Sequence, residues 1–204
     1  MFLPAFGYIK STLIDFPGEI ASELFLSGCN MQCKACHNYK LATDKNEAMD
    51  YNEFMTVLSD IKDNKATGIV ISGGEPTIWP ALEELLEWLR ANTKKRIKLD
   101  TNGSNPDVLR RLIDSKLIDY IAMDIKAPLE KYSMFSKEID IIERINQSII
   151  TIRNSGLPYL FRCTMIPELT EEDYEILKAL YPEIKFQKFV DRSEENKWTE
   201  YLKR

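Results

Sequence analysis

Ile69-Val70-Ile71-Ser72-Gly73-Gly74-Glu75-Pro76 is a short apolar run that ends in two glycines and an acid. Three branched aliphatic residues in a row, bounded by Gly68 and Gly73, read as a strand buried on both faces. Pro80 is then expected to open a helix whose apolar face is Leu82, Leu85, Leu86 and Leu89. The same grammar returns further along. Ile97 to Leu99 is a strand ending in Asp100-Thr101-Asn102-Gly103, and Pro106 starts a helix with Val108, Leu109, Leu112 and Ile113 inward. Tyr120 to Met123 is a strand ending in Asp124-Ile125-Lys126-Ala127-Pro128. Ile142, Ile145, Ile149 and Ile152 mark a longer helix closed by Asn154-Ser155-Gly156. Tyr159 to Met165 is a strand, Thr170 caps a helix that Pro182 stops, and Lys185 to Phe189 is the last strand.

Upstream, Ala21 to Leu26 is an apolar strand, and Asp50 with Glu53 makes a capping box ahead of Phe54, Val57, Leu58 and Ile61. Residues 1–19, punctuated by Pro4, Gly7, Pro17 and Gly18, read as an irregular N-terminal segment. The charged stretch 191–204 reads as a mobile tail. Six strands alternating with five helices imply an α/β fold with a parallel sheet and right-handed crossovers. A complete eightfold barrel needs about 250 residues. Six units in 204 residues imply an open, three-quarter (β/α)6 barrel, with a doubly wound flat sheet as the runner-up. No linker interrupts the pattern, so residues 1–204 read as one domain.

The polar motifs all follow predicted strands. In β/α folds the C-terminal ends of the strands form the active face. The stretch after Leu26 is the most telling. Gly28-Cys29-Asn30-Met31-Gln32-Cys33-Lys34-Ala35-Cys36-His37-Asn38 carries three of the four cysteines, spaced Cys-x3-Cys-x2-Cys. Three thiolates on one loop can hold three corners of a metal cluster and leave the fourth open to a ligand. The rest of the composition excludes other classes. The formal charge is −5 with no basic stripe, so nucleic-acid binding is disfavoured. No apolar run is long enough to span a bilayer and no secretion signal is evident. Clustered cysteines, without a disulfide framework, point to a reducing cytoplasm.

Leu13-Ile14-Asp15-Phe16-Pro17-Gly18, the Gly28 to Asn38 stretch and most of Gly68 to Tyr132 together resemble the radical S-adenosylmethionine (SAM) enzymes. Within that superfamily they are most similar to the activating enzymes of glycyl radical proteins, above all of anaerobic ribonucleoside-triphosphate reductase. The resemblance implies an oxidoreductase on a partial, TIM-like barrel of the radical SAM type. It implies that Cys29, Cys33 and Cys36 hold a [4Fe-4S] cluster whose fourth iron is chelated by S-adenosyl-L-methionine. Reductive cleavage would then give a 5′-deoxyadenosyl radical and, on a partner enzyme, a glycyl radical. The resemblance places Gly73, Gly74 and Glu75 at the methionine end of the cofactor, with His37 and Asn38 beside it; for Glu75 a role in orienting that loop is the alternative. Asp100, Thr101 and Asp124 resemble positions that hold a monovalent cation in pyruvate formate-lyase activating enzymes. Lys126 would pair with the cofactor carboxylate, and Asp15 would meet the glycine-bearing loop of the partner. A flavodoxin- or ferredoxin-type protein would donate the electron.

Two departures stand out. The aromatic residue that usually precedes the third cysteine is Ala35 here, and the late histidine of lyase activases is missing, with Gln187 as a candidate replacement. Other readings compete. Cys29, Cys33 and Cys36 with His37 or Cys163 could bind structural zinc in a non-catalytic module, although zinc leaves the other motifs unexplained. Cys163 reads as core, and Trp79 as core or helix surface. Alternative activities are activation of another glycyl radical enzyme, or radical chemistry on a small molecule of the deazaguanine-precursor type.

Overall fold

The computed structural model describes residues 5–33, 36, 38–43 and 48–190. The expectations for Ala35, His37 and the tail from Asp191 lie outside the described residues. Seven strands form one sheet in chain order: β1 (Ala5–Thr12), β2 (Ala21–Leu26), β3 (Gly68–Gly73), β4 (Arg96–Thr101), β5 (Tyr120–Asp124), β6 (Tyr159–Met165) and β7 (Lys185–Lys188). From β2 to β7 each strand runs parallel to the next. A doubly wound sheet reverses its strand order at a switch point. The monotonic order here has no reversal, which is the order of a barrel. Among the described residues β1 and β7 each pair with one strand only, so the barrel they form is open.

The crossovers carry α1 (Tyr39–Thr43), α2 (Tyr51–Asp63), α3 (Leu82–Asn92), α4 (Pro106–Asp114), α5 (Ile141–Arg153) and α6 (Glu171–Leu180). Asp50 and Glu53 form the expected reciprocal cap of α2, whose Phe54, Leu58 and Ile61 are buried. Pro106 is at the first turn of α4 as expected. Pro80 does not open α3. A separate 3-10 turn, Pro76–Ile78, takes up that stretch, and the helix begins at Leu82.

The N-terminal segment is a correction. Residues Ala5–Thr12 are not irregular; they form β1, antiparallel to β2, with breaks in register between Ala5 and Gly7 and between Ile9 and Thr12. Gly7 reads as punctuation in the sequence, but a bulged edge strand accommodates it. Side chains hold the edge in place. The Tyr8 hydroxyl donates to Asp60 Oδ2 at 2.6 Å and accepts from Asn64 Nδ2 at 2.9 Å, which ties β1 to α2. The exposed Lys10 pairs with the same Asp60.

Alternation along the strands separates two environments. Ile69, Ile71, Ile97, Leu99, Ile121 and Met123 join Leu85, Leu89, Leu112 and Ile149 of the helices in the main core. The alternate residues face the lumen, whose floor is Phe16 with Ala21, Val70 and Tyr120. The Phe16 ring lies 5.6 Å from that of Tyr120, and the Arg96 guanidinium caps it at 5.4 Å. Gly68 makes room for this plug, since a Cβ there would stand 2.8 Å from the Phe16 ring.

Candidate active site

The cysteine loop leaves β2 at Gly28, which has φ +86°. Trp79 holds this exit. Its indole Nε1 donates to the Ser27 carbonyl at 2.7 Å, and its ring lies 3.3 Å from where a Cβ on Gly28 would stand. Cys29, Cys33 and Cys36 then line one cavity together with Asn38, Gly73, Gly74, Asp100, Thr101, Asp124 and Lys126. Each of the three thiols is partly buried, and burial pushes each above the ordinary thiol range. The positive charge of Lys126 works against that rise at all three. Donors converge on the sulfurs as well. The Met31 N–H reaches Cys29 Sγ at 3.4 Å, and the Asn102 amide lies 3.8 Å from the same sulfur.

The two glycines after β3 serve the backbone of this loop. A Cβ on Gly73, at φ +126°, would meet the Leu26 carbonyl oxygen at 2.1 Å, and one on Gly74 would meet the Gly28 carbonyl oxygen at 2.0 Å. Their N–H neighbours use that closeness: Gly74 donates to Leu26 O and Glu75 to Gly28 O, both at 2.9 Å. The Asn38 side chain closes the other side by donating to Gly73 O at 3.2 Å.

Glu75 is the surprise of the glycine motif. Its side chain does not line the cavity; the residue is fully buried. One carboxylate oxygen accepts from the Thr77 N–H at 3.1 Å, the Thr77 hydroxyl and the Thr101 hydroxyl at 2.8 Å. The other accepts from the Asn102 N–H. Glu75 is therefore a clamp between the β3 and β4 loops and not a contact residue of the cavity. Thr101 is spent in the same clamp. Asn102 extends it through Asn30, whose Oδ1 accepts from Asn102 Nδ2 at 3.0 Å and whose amide donates to Ser104 at 2.9 Å.

A ladder of charge crosses the lumen face. Lys98 pairs with Asp100, Asp100 with Arg162 at 2.9 Å, Arg162 with Asp124, and Asp124 with Lys126 at 2.8 Å. Burial alone would raise the Asp124 carboxyl, but Arg162 and Lys126 hold it well below the usual range. Burial likewise opposes the Lys126 charge, and Asp124 outweighs it. The Tyr132 hydroxyl accepts from the Lys126 N–H at 3.0 Å and fixes this loop.

The Radical SAM superfamily model matches residues 24–180 of this sequence. The chain belongs to the radical SAM superfamily. Among curated relatives, it is 35% identical over 173 residues to a Methanocaldococcus jannaschii protein described as "Putative glycyl-radical enzyme activating enzyme", across 82% of this chain and 70% of that one. It is 28% identical over 120 residues to 7-carboxy-7-deazaguanine synthase of Clostridium acetobutylicum, across 59% of this chain and 53% of that one. The solved structure "Native anSMEcpe with bound AdoMet" shares the fold with a TM-score of 0.61 at 18% identity, across 81% of this chain and 50% of that one. The chain thus spans about half the length of these last two proteins.

Radical SAM enzymes use S-adenosylmethionine and a [4Fe-4S] cluster, and the donor set can hold both. Among the described residues no three His, Cys, Asp or Glu side chains converge on a point that would hold one metal ion. The three cysteines nevertheless share a cavity, which suits a larger inorganic group better than a single zinc. Cys163 is not among them. It is buried in β6, with its sulfur 3.7 Å from the Lys126 carbonyl oxygen. Asp15 also lies away from the cavity, where it accepts from the Thr12 hydroxyl beside Glu23. Sequence reasoning missed Lys98, Arg162, Asn102 and Glu23. Lys98 could have been found, because a lysine between Ile97 and Leu99 in a strand buried on both faces requires an ionic partner.

Glu23 carries a testable consequence. Burial, with Asp15 and Asp100 adding to it, pushes its carboxyl up from an ordinary 4.5 to about 8. Between those two values the folded chain holds a proton that the unfolded chain has lost, so stability falls as pH rises through that window. Glu23→Gln mimics the neutral carboxyl and removes the loss. Thermal melts should nearly converge with wild type near pH 5 and favour the variant at pH 8 by several kcal/mol. Parallel pH profiles for the two proteins would contradict the buried neutral carboxyl.

Proposed function

We propose that this chain activates a glycyl radical enzyme, with anaerobic ribonucleoside-triphosphate reductase as the partner. The observation that supports the activase reading is the match to the Methanocaldococcus relative across 82% of the chain; the choice of reductase rests on the sequence resemblance. In this reading residues 1–204 form one radical SAM domain working in a reducing cytoplasm with a flavodoxin- or ferredoxin-type donor. Cys29, Cys33 and Cys36 hold the cluster. When bound, cluster and SAM supply one-electron cleavage of a sulfonium and, from it, hydrogen-atom abstraction. The residues of the chain do the positioning. Gly73, Gly74 and Asn38 shape the wall facing the methionine end, and Lys126 offers a fixed positive charge to its carboxylate. Asp15 stands on the partner's side. Leu13 and Ile14 precede it and are 74% and 88% exposed, an apolar edge that a protein substrate can cover.

The test is anaerobic. The reconstituted, reduced protein is given SAM and the purified reductase. The expected result is 5′-deoxyadenosine together with a glycyl radical signal on the reductase. Nucleoside formation without that signal, combined with turnover of a deazaguanine precursor, would favour the small-molecule chemistry named for the Clostridium relative. Lys126→Ala is expected to weaken SAM binding by about tenfold or more while iron content stays at the wild-type level. Equilibrium dialysis and iron analysis check both halves.

A further inference from the structure

Two carboxylates facing one cavity from adjacent strands repel each other unless a cation stands between them. Asp100 ends its lumen-facing run on β4, and Asp124 is the last residue of β5. The resemblance noted above would fill the gap with a monovalent metal ion, and the residues do not fit one. All four carboxylate oxygens are already matched by protein cations. Lys98 takes Asp100 Oδ1 and Arg162 NH2 takes Asp100 Oδ2 at 2.9 Å. Arg162 Nε takes Asp124 Oδ1 and Lys126 takes Asp124 Oδ2 at 2.8 Å. Thr101, the neutral oxygen expected in the same site, donates to Glu75 and accepts from the Gly103 N–H.

We infer that the Arg162 guanidinium is a built-in substitute for a bound monovalent cation, so that this chain docks its cofactor without Na+ or K+. The inference rests on the cavity being the SAM seat and deepens that reading. Within this ladder three cations face two carboxylates, which leaves one positive charge in excess. Glu23, whose carboxyl Asp100 helps to raise, holds its proton to about pH 8 and does not cancel it. A metal ion would have to enter that positive field and break a guanidinium away from both partners. The planar fork of arginine suits the task, since its separate N–H groups reach two carboxylates at once, which a lysine ammonium does less well. Strand register puts it there: Arg162 on β6 is paired directly with Asp124 on β5. Arg162 is thus a positioning residue, and the uncompensated charge is available to the carboxylate of an incoming amino-acid moiety.

SAM binding to the reconstituted holoprotein, measured by anaerobic equilibrium dialysis, tests this. Potassium chloride is compared with tetramethylammonium chloride at equal ionic strength. Wild type should change its Kd by less than about twofold. Arg162→Ala, shown by circular dichroism to be folded, should bind about tenfold more weakly in tetramethylammonium and regain affinity with potassium or guanidinium. The melting temperature of the same variant without cofactor should rise with potassium, while that of wild type should not. Should Arg162→Ala not fold, the wild-type comparison decides alone. Wild-type binding that drops about tenfold only when potassium is removed overturns the inference, as does a folded variant that neither cation rescues. Wild type that binds SAM in neither buffer overturns the cofactor seat itself, and this inference with it.

Discussion

Cys33→Ala is expected to abolish cluster assembly. Cys33 is the middle cysteine of the loop and lines the cavity with Cys29 and Cys36. Two remaining thiolates cannot hold a four-iron group with one corner left for a cofactor. The brown absorbance after reconstitution should disappear, iron should fall from about four per chain to background, and 5′-deoxyadenosine should fall below detection. Loss of fold is not the cause expected. Cys33 is partly exposed and small, so the change should cost at most about 1 kcal/mol and leave the iron-free protein melting nearly as wild type. Cys163→Ala is the control. That sulfur is buried in β6, so its removal should lower stability slightly and leave iron loading intact. A fully iron-loaded Cys33→Ala protein would refute the ligand assignment.

Glu75→Ala should produce the largest loss of stability. Truncation leaves four donors without their acceptor: the Thr77 and Asn102 N–H groups and the Thr77 and Thr101 hydroxyls. The hydroxyls can turn elsewhere, but the two N–H groups are fixed by the backbone. Each buried orphan costs about 1–3 kcal/mol. A total of about 3–5 kcal/mol is a large part of the stability of a typical domain. The melting temperature should fall by about 10 °C. Glu75→Gln should lie between, because one oxygen still accepts while the amide confronts the Asn102 N–H. The damage also reaches the cysteine loop, since Asn102 holds Asn30 at 3.0 Å. Reconstituted Glu75→Gln should therefore lose its cluster to air faster than wild type. Unchanged melting in Glu75→Ala would show that the clamp contributes little.

Much of the barrel was legible because its signals are local. The capping box at Asp50, the proline at the start of α4 and the apolar runs of β3 to β6 need no distant partner to be recognised. β1 was not legible, because a bulged edge strand with Gly7 inside it gains its order from β2 and from Asp60 on α2. At the site, the cysteines and the rim motifs announced themselves by spacing. Glu75 was placed in the right loop with two roles open, cofactor contact or loop orientation, since nothing in Gly-Gly-Glu tells which way the acid turns; its hydrogen bonds give it the second. Arg162 was passed over because it looks like any strand charge; its meaning comes from the β5–β6 register across a long chain separation.

The Trp79 latch has a practical consequence. Its indole is bonded to Ser27 and packed on the residue just before Cys29. A natural fluorophore is thus moored beside the backbone that leads into the first cysteine of the loop. Indole emission is quenched by a nearby strongly absorbing group, and the other two tryptophans of the sequence, Trp88 on α3 and Trp198, supply a background. The protein thereby carries its own label-free optical gauge of whether the cysteine loop is filled, readable in real time and before any substrate is known.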